Sequence, residues 1–459
     1  MTLEVANPAT GAVVARLPAD DAASVAAKSQ RARQGARRWS ATPLTERIEA
    51  LRRFRSLAQS QSEALARILT TEVGKPLAQS RNELKGLLAR LDFFIAEAPS
   101  VLAEEAVHSE PDGALEERIS REPLGVVANV SAWNYPWFVG SNVFVPALLA
   151  GNAVLYKPSE HASLTGLEIA RLFAGSGVPE DAFVPVIGAG ETGGALVAQP
   201  VDGIFFTGSV ATGRRIAQAA AGRMVKLQLE LGGKDPVYVC EDVDIARAAA
   251  SVADGAFYNT GQSCCSVERI YVHASIFERF VEAFVAEVRG YRIGDPMDES
   301  TYIGPLARAA QIEVLQRQVD DALAKGARLL AGGRRLARPG NWFEPTVLVD
   351  VDHSMAVMRE ESFGPVIGLM PAADDGQAIE LMNDTPYGLT AGVFTAERER
   401  ARRILARVNA GSVYWNCCDR VSPRLPWSGV GDSGIGLTLS RAGIEAFTRP
   451  KAWHLRDRC

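Results

Sequence analysis

The chain alternates between short apolar runs and helical patterns, and this alternation limits the folds that it can adopt. Helical patterns at 164–173 and 213–221 separate a series of apolar runs at 125–131, 153–156, 183–187, 203–206 and 226–231. Apolar, β-branched runs that alternate with helices are typical of a parallel sheet covered on both faces. The sequence therefore predicts an α/β domain.

The same rhythm begins again after Gly233 and continues to about Gly429, which predicts a second α/β domain. Its first elements are apolar runs at 237–239 and 270–272 and helical patterns at 245–256 and 277–288. Residues 22–105 instead place apolar side chains every three or four positions, which predicts helix. The sequence NPATG at 7–11 predicts a turn between two short strands.

Composition and charge exclude several classes of function. The 459 residues are enough for two or three domains, and 47% hydrophobic with 22% charged residues is ordinary for a globular protein. A net charge of −5 gives no support for binding nucleic acid or an anionic membrane. The longest apolar stretches are too short to cross a bilayer, and the amino terminus does not resemble a signal peptide. We expect a cytoplasmic protein.

The number and spacing of the cysteines also favour a cytoplasmic protein. Six cysteines in so long a chain do not make a disulfide framework. The adjacent pairs, Cys264 with Cys265 and Cys417 with Cys418, do not have the C-x-x-C spacing of a metal site. We therefore expect no metal centre, and a reducing compartment that would keep Cys264 free.

Two segments carry groups that together suit covalent catalysis followed by hydrolysis. GQSCC at 261–265 supplies the thiol of Cys264, and LQLELGGKDP at 227–236 places Glu230 at the end of an apolar strand. An ionised thiol is a strong nucleophile. A carboxylate in apolar surroundings is a good general base, because desolvation raises its pKa. The alternatives are a buried core cysteine and a glutamate in a structural ion pair.

A glycine-rich segment, GAGETG at 188–193, matches the G-x-G-x-x-G pattern and follows an apolar run. No acidic residue follows on a second strand at the spacing that dinucleotide-binding folds require. The segment, which includes Gly190, is therefore either a cofactor contact or a glycine-rich loop.

Six segments, in order along the chain, resemble the signatures of the NAD(P)-dependent aldehyde dehydrogenase superfamily. They are WN at 133–134, KPSE at 157–160, GSVATG at 208–213, ELGGKDP at 230–236, GQSC at 261–264 and ESFGP at 361–365. The resemblance implies an α/β, aldehyde dehydrogenase-like fold with a Rossmann-type cofactor domain, a second α/β catalytic domain and a small β oligomerisation arm. The implied bounds are 1–108 with 124–232 for the NAD-binding domain, 233–432 for the catalytic domain, and 109–123 with 433–459 for the arm. A homodimer or homotetramer is implied.

The resemblance also implies a reaction: oxidation of an aldehyde to the carboxylic acid through a thiohemiacetal and a thioester on Cys264. Glu230 would activate the hydrolytic water, which separates this chain from CoA-acylating relatives, and Asn134 would hold the oxyanion. The alternative for Asn134 is a residue that shapes the turn before Pro136. The implied cofactor contacts are Trp133, Lys157, Ser159, Glu160, Gly190, Gly208, Ser209, Gly213, Leu231, Gly232, Glu361 and Phe363. Glu160 would repel a 2′-phosphate, so NAD is favoured and NADP is possible.

Substrate identity is less constrained. The expected contacts are Tyr135, Phe138, Ser263, Cys265, Arg420 and Trp427. Their aromatic rings suit an apolar or aromatic aldehyde, whereas Arg420 could bind the carboxylate of a semialdehyde such as succinate semialdehyde. The alternative for Arg420 is a solvated loop residue. A catalytically silent relative and a Cys-dependent acyl hydrolase remain open. Many relatives carry a lysine where this chain has Val143, and a glutamate in the region where it has Thr438. In the family this pair can relay protons from the general base, so the resemblance does not indicate the proton exit route.

Overall fold

The computed structural model describes residues 2–111 and 113–457. The chain begins with an antiparallel hairpin, β1 (Thr2–Ala6) and β2 (Val13–Pro18), which confirms the predicted turn at 7–11. Four helices follow: α1 (Ala22–Ala41), α2 (Leu44–Ser60), α3 (Ser62–Val73) and α4 (Leu77–Val101). The predicted helical region is divided because Pro43 precedes α2, and Gly74, with φ of 83°, ends α3.

The first large sheet has six strands in the order β17-β9-β8-β5-β6-β7. Only β17 runs antiparallel to its neighbour. The strands are β5 (Val126–Val130), β6 (Ala153–Lys157), β7 (Phe183–Pro185), β8 (Gly203–Thr207), β9 (Lys226–Glu230) and β17 (Gly434–Ile435). The helices between them are α5 (Pro136–Leu149), α6 (Ser163–Ser176), α7 (Gly190–Val197) and α8 (Val210–Ala220). The predicted parallel sheet is confirmed.

Both faces of this sheet are buried, as the apolar runs predicted. Alternate side chains of β6 enter different cores: Leu155 packs in one with Val25 of α1, and Tyr156 packs in the other with Phe54 of α2. Successive strand residues point to opposite faces, and both faces of this sheet are covered. Every residue of β6 is therefore buried.

The second large sheet has seven strands in the order β12-β13-β14-β11-β10-β15-β16, and only β12 is antiparallel to its neighbour. The strands are β10 (Asp235–Val239), β11 (Val267–His273), β12 (Arg328–Ala331), β13 (Thr346–Val349), β14 (Val366–Ala372), β15 (Thr390–Phe394) and β16 (Ser412–Trp415). The helices are α9 (Ile245–Phe257), α10 (Phe277–Gly290), α11 (Ala310–Ala324), α12 (Ala356–Arg359), α13 (Asp375–Asn383) and α14 (Arg398–Leu405). The second α/β unit is confirmed.

A separate three-stranded antiparallel sheet has the order β18-β4-β3. Its strands are β3 (Glu105–Ser109), β4 (Leu115–Pro123) and β18 (Thr448–Arg456). Two details differ from the expected arm of 109–123 and 433–459. The sheet begins at Glu105, and β17 pairs with β9 of the first large sheet before α15 (Ser440–Glu445) leads into β18. Short edge segments such as β17 are hard to predict because their pairing, not their composition, defines them.

Among the described residues, no helix is both long and apolar enough to span a membrane.

Candidate active site

The carboxyl ends of four parallel strands open into one groove with a volume of about 760 Å³. Lys157 is the last residue of β6, Thr207 of β8 and Glu230 of β9, and Asn134 follows β5. All four line the groove, since the carboxyl ends of neighbouring parallel strands meet at one edge of a sheet. Loops of the second α/β unit supply the remaining wall, and they bring Cys264 to the groove.

The loop before Cys264 has an unusual backbone. Asn259, Thr260 and Gly261 all have positive φ, at 55°, 59° and 70°. This conformation is uncommon for asparagine and strained for threonine, and such strain is frequent at functional sites. A Cβ atom on Gly261 would lie 2.4 Å from the carbonyl oxygen of Gly364, so glycine is required there. The loop therefore gives Cys264 one fixed position.

Hydrogen bonds tie this loop to Asn134. The Asn259 side chain donates to the carbonyls of Asn134, at 3.3 Å, and Gln262, at 3.0 Å. Asn134 in turn donates one amide hydrogen to the Gln262 carbonyl, at 3.2 Å. Among residues 2–111 and 113–457, the backbone N–H of Cys264 has no acceptor. Asn134 and the Cys264 amide thus provide two N–H donors beside the thiol.

Cys264 and Glu230 contact each other at the inner end of the groove. A hydrogen bond to Cys265, burial and the adjacent Glu230 carboxylate raise the pKa of the Cys264 thiol well above its usual value. Burial also raises the pKa of Glu230, whereas hydrogen bonds from Trp427, Cys264 and Thr207 oppose the shift. A thiol of raised pKa and a carboxylate of raised basicity therefore lie next to each other.

Trp427, which was predicted as a substrate contact, lies against Glu230. Its side chain is buried, and the indole Nε1–H donates to Glu230 Oε1 at 3.2 Å. Its backbone pairs with Thr438 through hydrogen bonds of 2.8 and 2.9 Å, which fixes the indole. Val143 and Thr438, which occupy the expected positions of the proton relay, are also buried. Trp427 is thus a donor to the carboxylate, which composition alone did not indicate.

Helix α5 begins directly after the Asn134 loop, and a buried ion pair fixes its start. Glu83 Oε1 accepts a hydrogen bond from the backbone N–H of Trp137 at 2.8 Å, and Glu83 is paired with Lys75. A carboxylate at a helix N-terminus is favourable because it faces the positive end of the helix dipole. The pair, which sequence reasoning missed, supports the position of Asn134.

The predicted aromatic contacts Tyr135 and Phe138 stack on each other, with ring centroids 5.7 Å apart. Cations already cover these rings: Lys75 Nζ lies 3.7 Å from the Tyr135 centroid, and the Arg90 guanidinium lies 3.9 Å from that of Phe138. Neither aromatic residue lines the groove.

The outer part of the groove fits a dinucleotide. The volume of the whole groove is in the usual range for cofactor sites. Ser209 caps the N-terminus of α8 at the groove, a position that favours phosphate. An added Cβ at Gly190 would meet nothing within 4 Å, so the wall is open there. Although burial opposes ionisation, the backbone and Lys157 hold the pKa of Glu160 below its usual value. The wall therefore offers a cation and a carboxylate side by side.

Gly213, Phe363 and Glu361 were predicted to contact the cofactor, and the sequence did not indicate which residues pack against them. A Cβ on Gly213 would lie 2.5 Å from the Leu231 side chain, so Gly213 lets α8 pack against Leu231 rather than lining the groove. Glu268 accepts a hydrogen bond from the Phe363 N–H at 2.9 Å and holds Phe363 at φ of 47°. Burial, and then the Glu268 charge, raise the pKa of Glu361 to about 8.

Most of the predicted site residues meet in the groove. Those that line it are Trp133, Asn134, Lys157, Ser159, Glu160, Gly190, Gly208, Ser209, Glu230, Leu231, Gly232, Cys264, Glu361 and Phe363. Those that do not are Gly213, Tyr135, Phe138, Ser263, Cys265, Arg420 and Trp427.

A partly buried carboxylate, Asp419, which sequence reasoning did not select, lies next to Ser263 and Cys265. Ser263 Oγ and Cys265 Sγ donate to Asp419 Oδ1 at 3.1 and 2.9 Å. Burial raises the pKa of Asp419, although these hydrogen bonds oppose the shift. Arg420 points away, with its guanidinium 3.8 Å from Asp254 and its side chain 66% exposed. The sequence pair Asp419 and Arg420 gave no indication of which charge faces inward.

Two α/β units that form a dinucleotide groove, with a thiol and a carboxylate at its inner end, define a nicotinamide-dependent oxidoreductase with a cysteine at the site. The family model described as Aldehyde dehydrogenase family matches residues 1–453. The chain is 36% identical over 453 residues to betaine aldehyde dehydrogenase of Cereibacter sphaeroides, with 98% of this chain and 93% of that protein covered. It is 36% identical over 455 residues to aminoaldehyde dehydrogenase 1, peroxisomal, of Pisum sativum, with 97% and 90% covered.

Solved structures agree. PnpE from Pseudomonas sp. WBC-3, in complex with nicotinamide adenine dinucleotide, superposes with a TM-score of 0.96 at 33% identity, covering 100% of this chain and 95% of that chain. The chain belongs to the aldehyde dehydrogenase family, and it oxidises an aldehyde with NAD or NADP.

Proposed function

We propose that Cys264 is the nucleophile, Glu230 the general base, and Asn134 with the Cys264 backbone N–H the oxyanion donors. The observation that carries this proposal is the convergence of the three side chains at the inner end of the groove. A hydrogen-bond donor aimed at a developing oxyanion contributes about 2.7–4 kcal/mol in acyl-transfer sites.

The proposed sequence of steps uses the contacts described above. As the Cys264 sulfur attacks the aldehyde carbon, the thiol proton passes to Glu230, and the carbonyl oxygen becomes an oxyanion bound by Asn134. The cofactor, held by residues such as Glu361 and Phe363, would supply the acceptor for the hydride of that carbon, and Cys264 is left carrying a thioester. Glu230, after losing its proton to solvent through the groove, takes a proton from a water molecule as that water attacks the thioester. The carboxylic acid leaves, and the Cys264 sulfur regains a proton from Glu230.

Replacing Trp427 by phenylalanine is expected to raise the pKa of Glu230, because the indole N–H stabilises the carboxylate. A hydrogen bond to a charged group contributes about 1.5–3 kcal/mol, so the pKa rises by about one to two units. The base acts as the carboxylate, so the acidic limb of the kcat–pH profile moves to higher pH. Trp342→Phe, which removes an indole hydrogen bond outside the site, is the control. An unshifted limb in Trp427→Phe would contradict the role.

For the substrate, we infer an aldehyde with a positive charge, such as the betaine aldehyde and aminoaldehydes named for the two relatives. This inference is supported by the partly buried Asp419 carboxylate next to Ser263 and Cys265. A carboxylate attracts a cationic substrate through its charge. The Asp419 carboxylate would repel the carboxylate of succinate semialdehyde. Arg420, which could have bound that group, instead lies near Asp254 with an exposed side chain.

Asp419→Asn is expected to lower kcat/KM for betaine aldehyde by about tenfold to hundredfold, because the Coulomb attraction between the carboxylate and the trimethylammonium charge is lost. For 3,3-dimethylbutanal, which has the same shape without the charge, kcat/KM is expected to stay unchanged. The asparagine still accepts hydrogen bonds from Ser263 and Cys265. The control is Arg420→Gln, and steady-state rates with both aldehydes give the comparison. Equal losses for the two aldehydes would reject the cation site.

We further propose NAD as the preferred cofactor, since Glu160 would repel a 2′-phosphate. We propose a reducing compartment such as the cytoplasm, because Cys264 must stay reduced. Exposed side chains on edge strands β16 and β18, among them Trp415 and Trp453, support a homodimer or homotetramer that covers these edges. A light-scattering mass equal to one 49.2 kDa chain would contradict this assembly.

A further inference from the structure

Arg308 lines the groove, although none of the sequence motifs includes it. It lies in the loop before α11, and its guanidinium carbon is 6.0 Å from the ring centroid of Trp133. Arg308 Nη2 donates to Gln311 Oε1 at 2.6 Å, and Gln311 donates to the Ser362 carbonyl at 2.5 Å. The guanidinium is therefore held in a defined orientation at the wall.

Most of the Arg308 donors are unused. A guanidinium has five N–H donors, and Arg308 Nε is buried without a hydrogen-bond partner in the described chain. No carboxylate of residues 2–111 and 113–457 forms an ion pair with it. Leaving a buried donor unpaired is unfavourable, and arginine is well suited to phosphate. An anionic ligand in the groove would pair with the guanidinium charge and with its accessible N–H groups.

The position of Arg308 along the groove identifies which part of the ligand it meets. The Trp133 ring lies 6.4 Å from that of His161 and 5.5 Å from that of Phe363. His161 adjoins Glu160, which is expected to contact the ribose of the adenosine. Phe363 is expected to lie at the nicotinamide end of the groove. Arg308 over Trp133 is therefore between the two ends. In a dinucleotide, the group between the two nucleosides is the pyrophosphate.

We propose that Arg308 is a cofactor-binding residue whose guanidinium binds the pyrophosphate of NAD or NADP. Ser209 at the N-terminus of α8 approaches the same groove from the first α/β unit, whereas Arg308 belongs to the second. Binding of the pyrophosphate thus joins the two units. The proposal rests on the nicotinamide cofactor of the family and does not depend on the substrate or on the roles of Cys264 and Glu230.

The test measures binding without turnover. Calorimetric titrations of the full chain at fixed ionic strength would compare wild type, Arg308→Gln and Arg317→Gln with adenosine, AMP, ADP, ADP-ribose and 2′,5′-ADP. Arg317→Gln removes the same charge from an exposed position on α11, where Arg317 pairs with Glu360. Arg308→Gln is expected to weaken ADP-ribose by about tenfold to hundredfold, ADP similarly, and adenosine not at all. KM for NAD is expected to rise in parallel.

Three results would overturn the proposal. Unchanged ADP-ribose affinity in Arg308→Gln would show that the guanidinium does not contact phosphate. An equal loss for adenosine would show a general structural effect. A selective loss for 2′,5′-ADP over ADP would place the contact at the 2′-phosphate. Similar losses in Arg317→Gln would attribute the change to net charge, which also contradicts a specific contact.

Discussion

Cys264→Ser is expected to lower aldehyde-dependent formation of reduced nicotinamide by at least about 10⁴-fold, as for other enzymes that lose their nucleophile. A serine hydroxyl at this position ionises far less readily than a thiol, and the base that contacts it is Glu230. The measurement is absorbance of reduced nicotinamide with a panel of aldehydes and either NAD or NADP.

The matched control is Cys417→Ser, which changes a free cysteine away from the groove. Retained binding of ADP-ribose by Cys264→Ser would show that the fold is intact. Near-native turnover of Cys264→Ser would reject the nucleophile. Absence of nicotinamide reduction in the wild type with every aldehyde would instead favour a silent relative or an acyl hydrolase.

Glu230→Gln is expected to lower steady-state kcat by about 10²–10⁴-fold, the usual contribution of a general base. Glutamine keeps the hydrogen bond from Trp427 but cannot take a proton from water. The thioester therefore accumulates, and mass spectrometry of the denatured enzyme would show the acyl group on Cys264. A rapid-mixing experiment is expected to give a burst of reduced nicotinamide that is slower than in the wild type, because the Cys264 thiol must then lose its proton to solvent, and turnover after the burst is slower still.

Hydroxylamine provides the chemical check, because it attacks a thioester without the help of a base. Added after removal of excess aldehyde, with which it would otherwise condense, it is expected to release the acyl group from Glu230→Gln as a hydroxamate and to release none from the surface control Glu397→Gln. Full steady-state turnover of Glu230→Gln with no bound acyl group would mean that another residue activates the water.

The sequence allowed prediction of elements whose signal is local. Both α/β units and the positions of Cys264, Glu230 and Asn134 could be predicted, because strands such as β6 are apolar throughout and the motifs are contiguous. The same holds for Lys157, the last residue of a strand, and Glu160, which follows it; both line the same groove as Cys264 because parallel strands end together.

What could not be predicted depends on contacts between distant residues. The indole of Trp427 reaches Glu230 across 197 positions of the chain. Asp419 and Arg420 are neighbours with opposite charges, and packing decides which one lies next to Ser263 and Cys265. Arg308 belongs to no motif, and its relation to Trp133 appears only when the two α/β units are docked.

The loop before Cys264 is held by residues from distant parts of the chain, and this affects the stage of folding at which the enzyme becomes active. The backbone N–H of Asn259 donates to Gln79 of α4 at 2.9 Å, and its side chain binds the Asn134 carbonyl. The left-handed turn is thus supported by residues synthesised long before it. A nascent chain carries its thiol on an unsupported loop, without an oxyanion donor, until both units have folded and docked. Aldehyde oxidation is therefore expected only after both units have folded and docked.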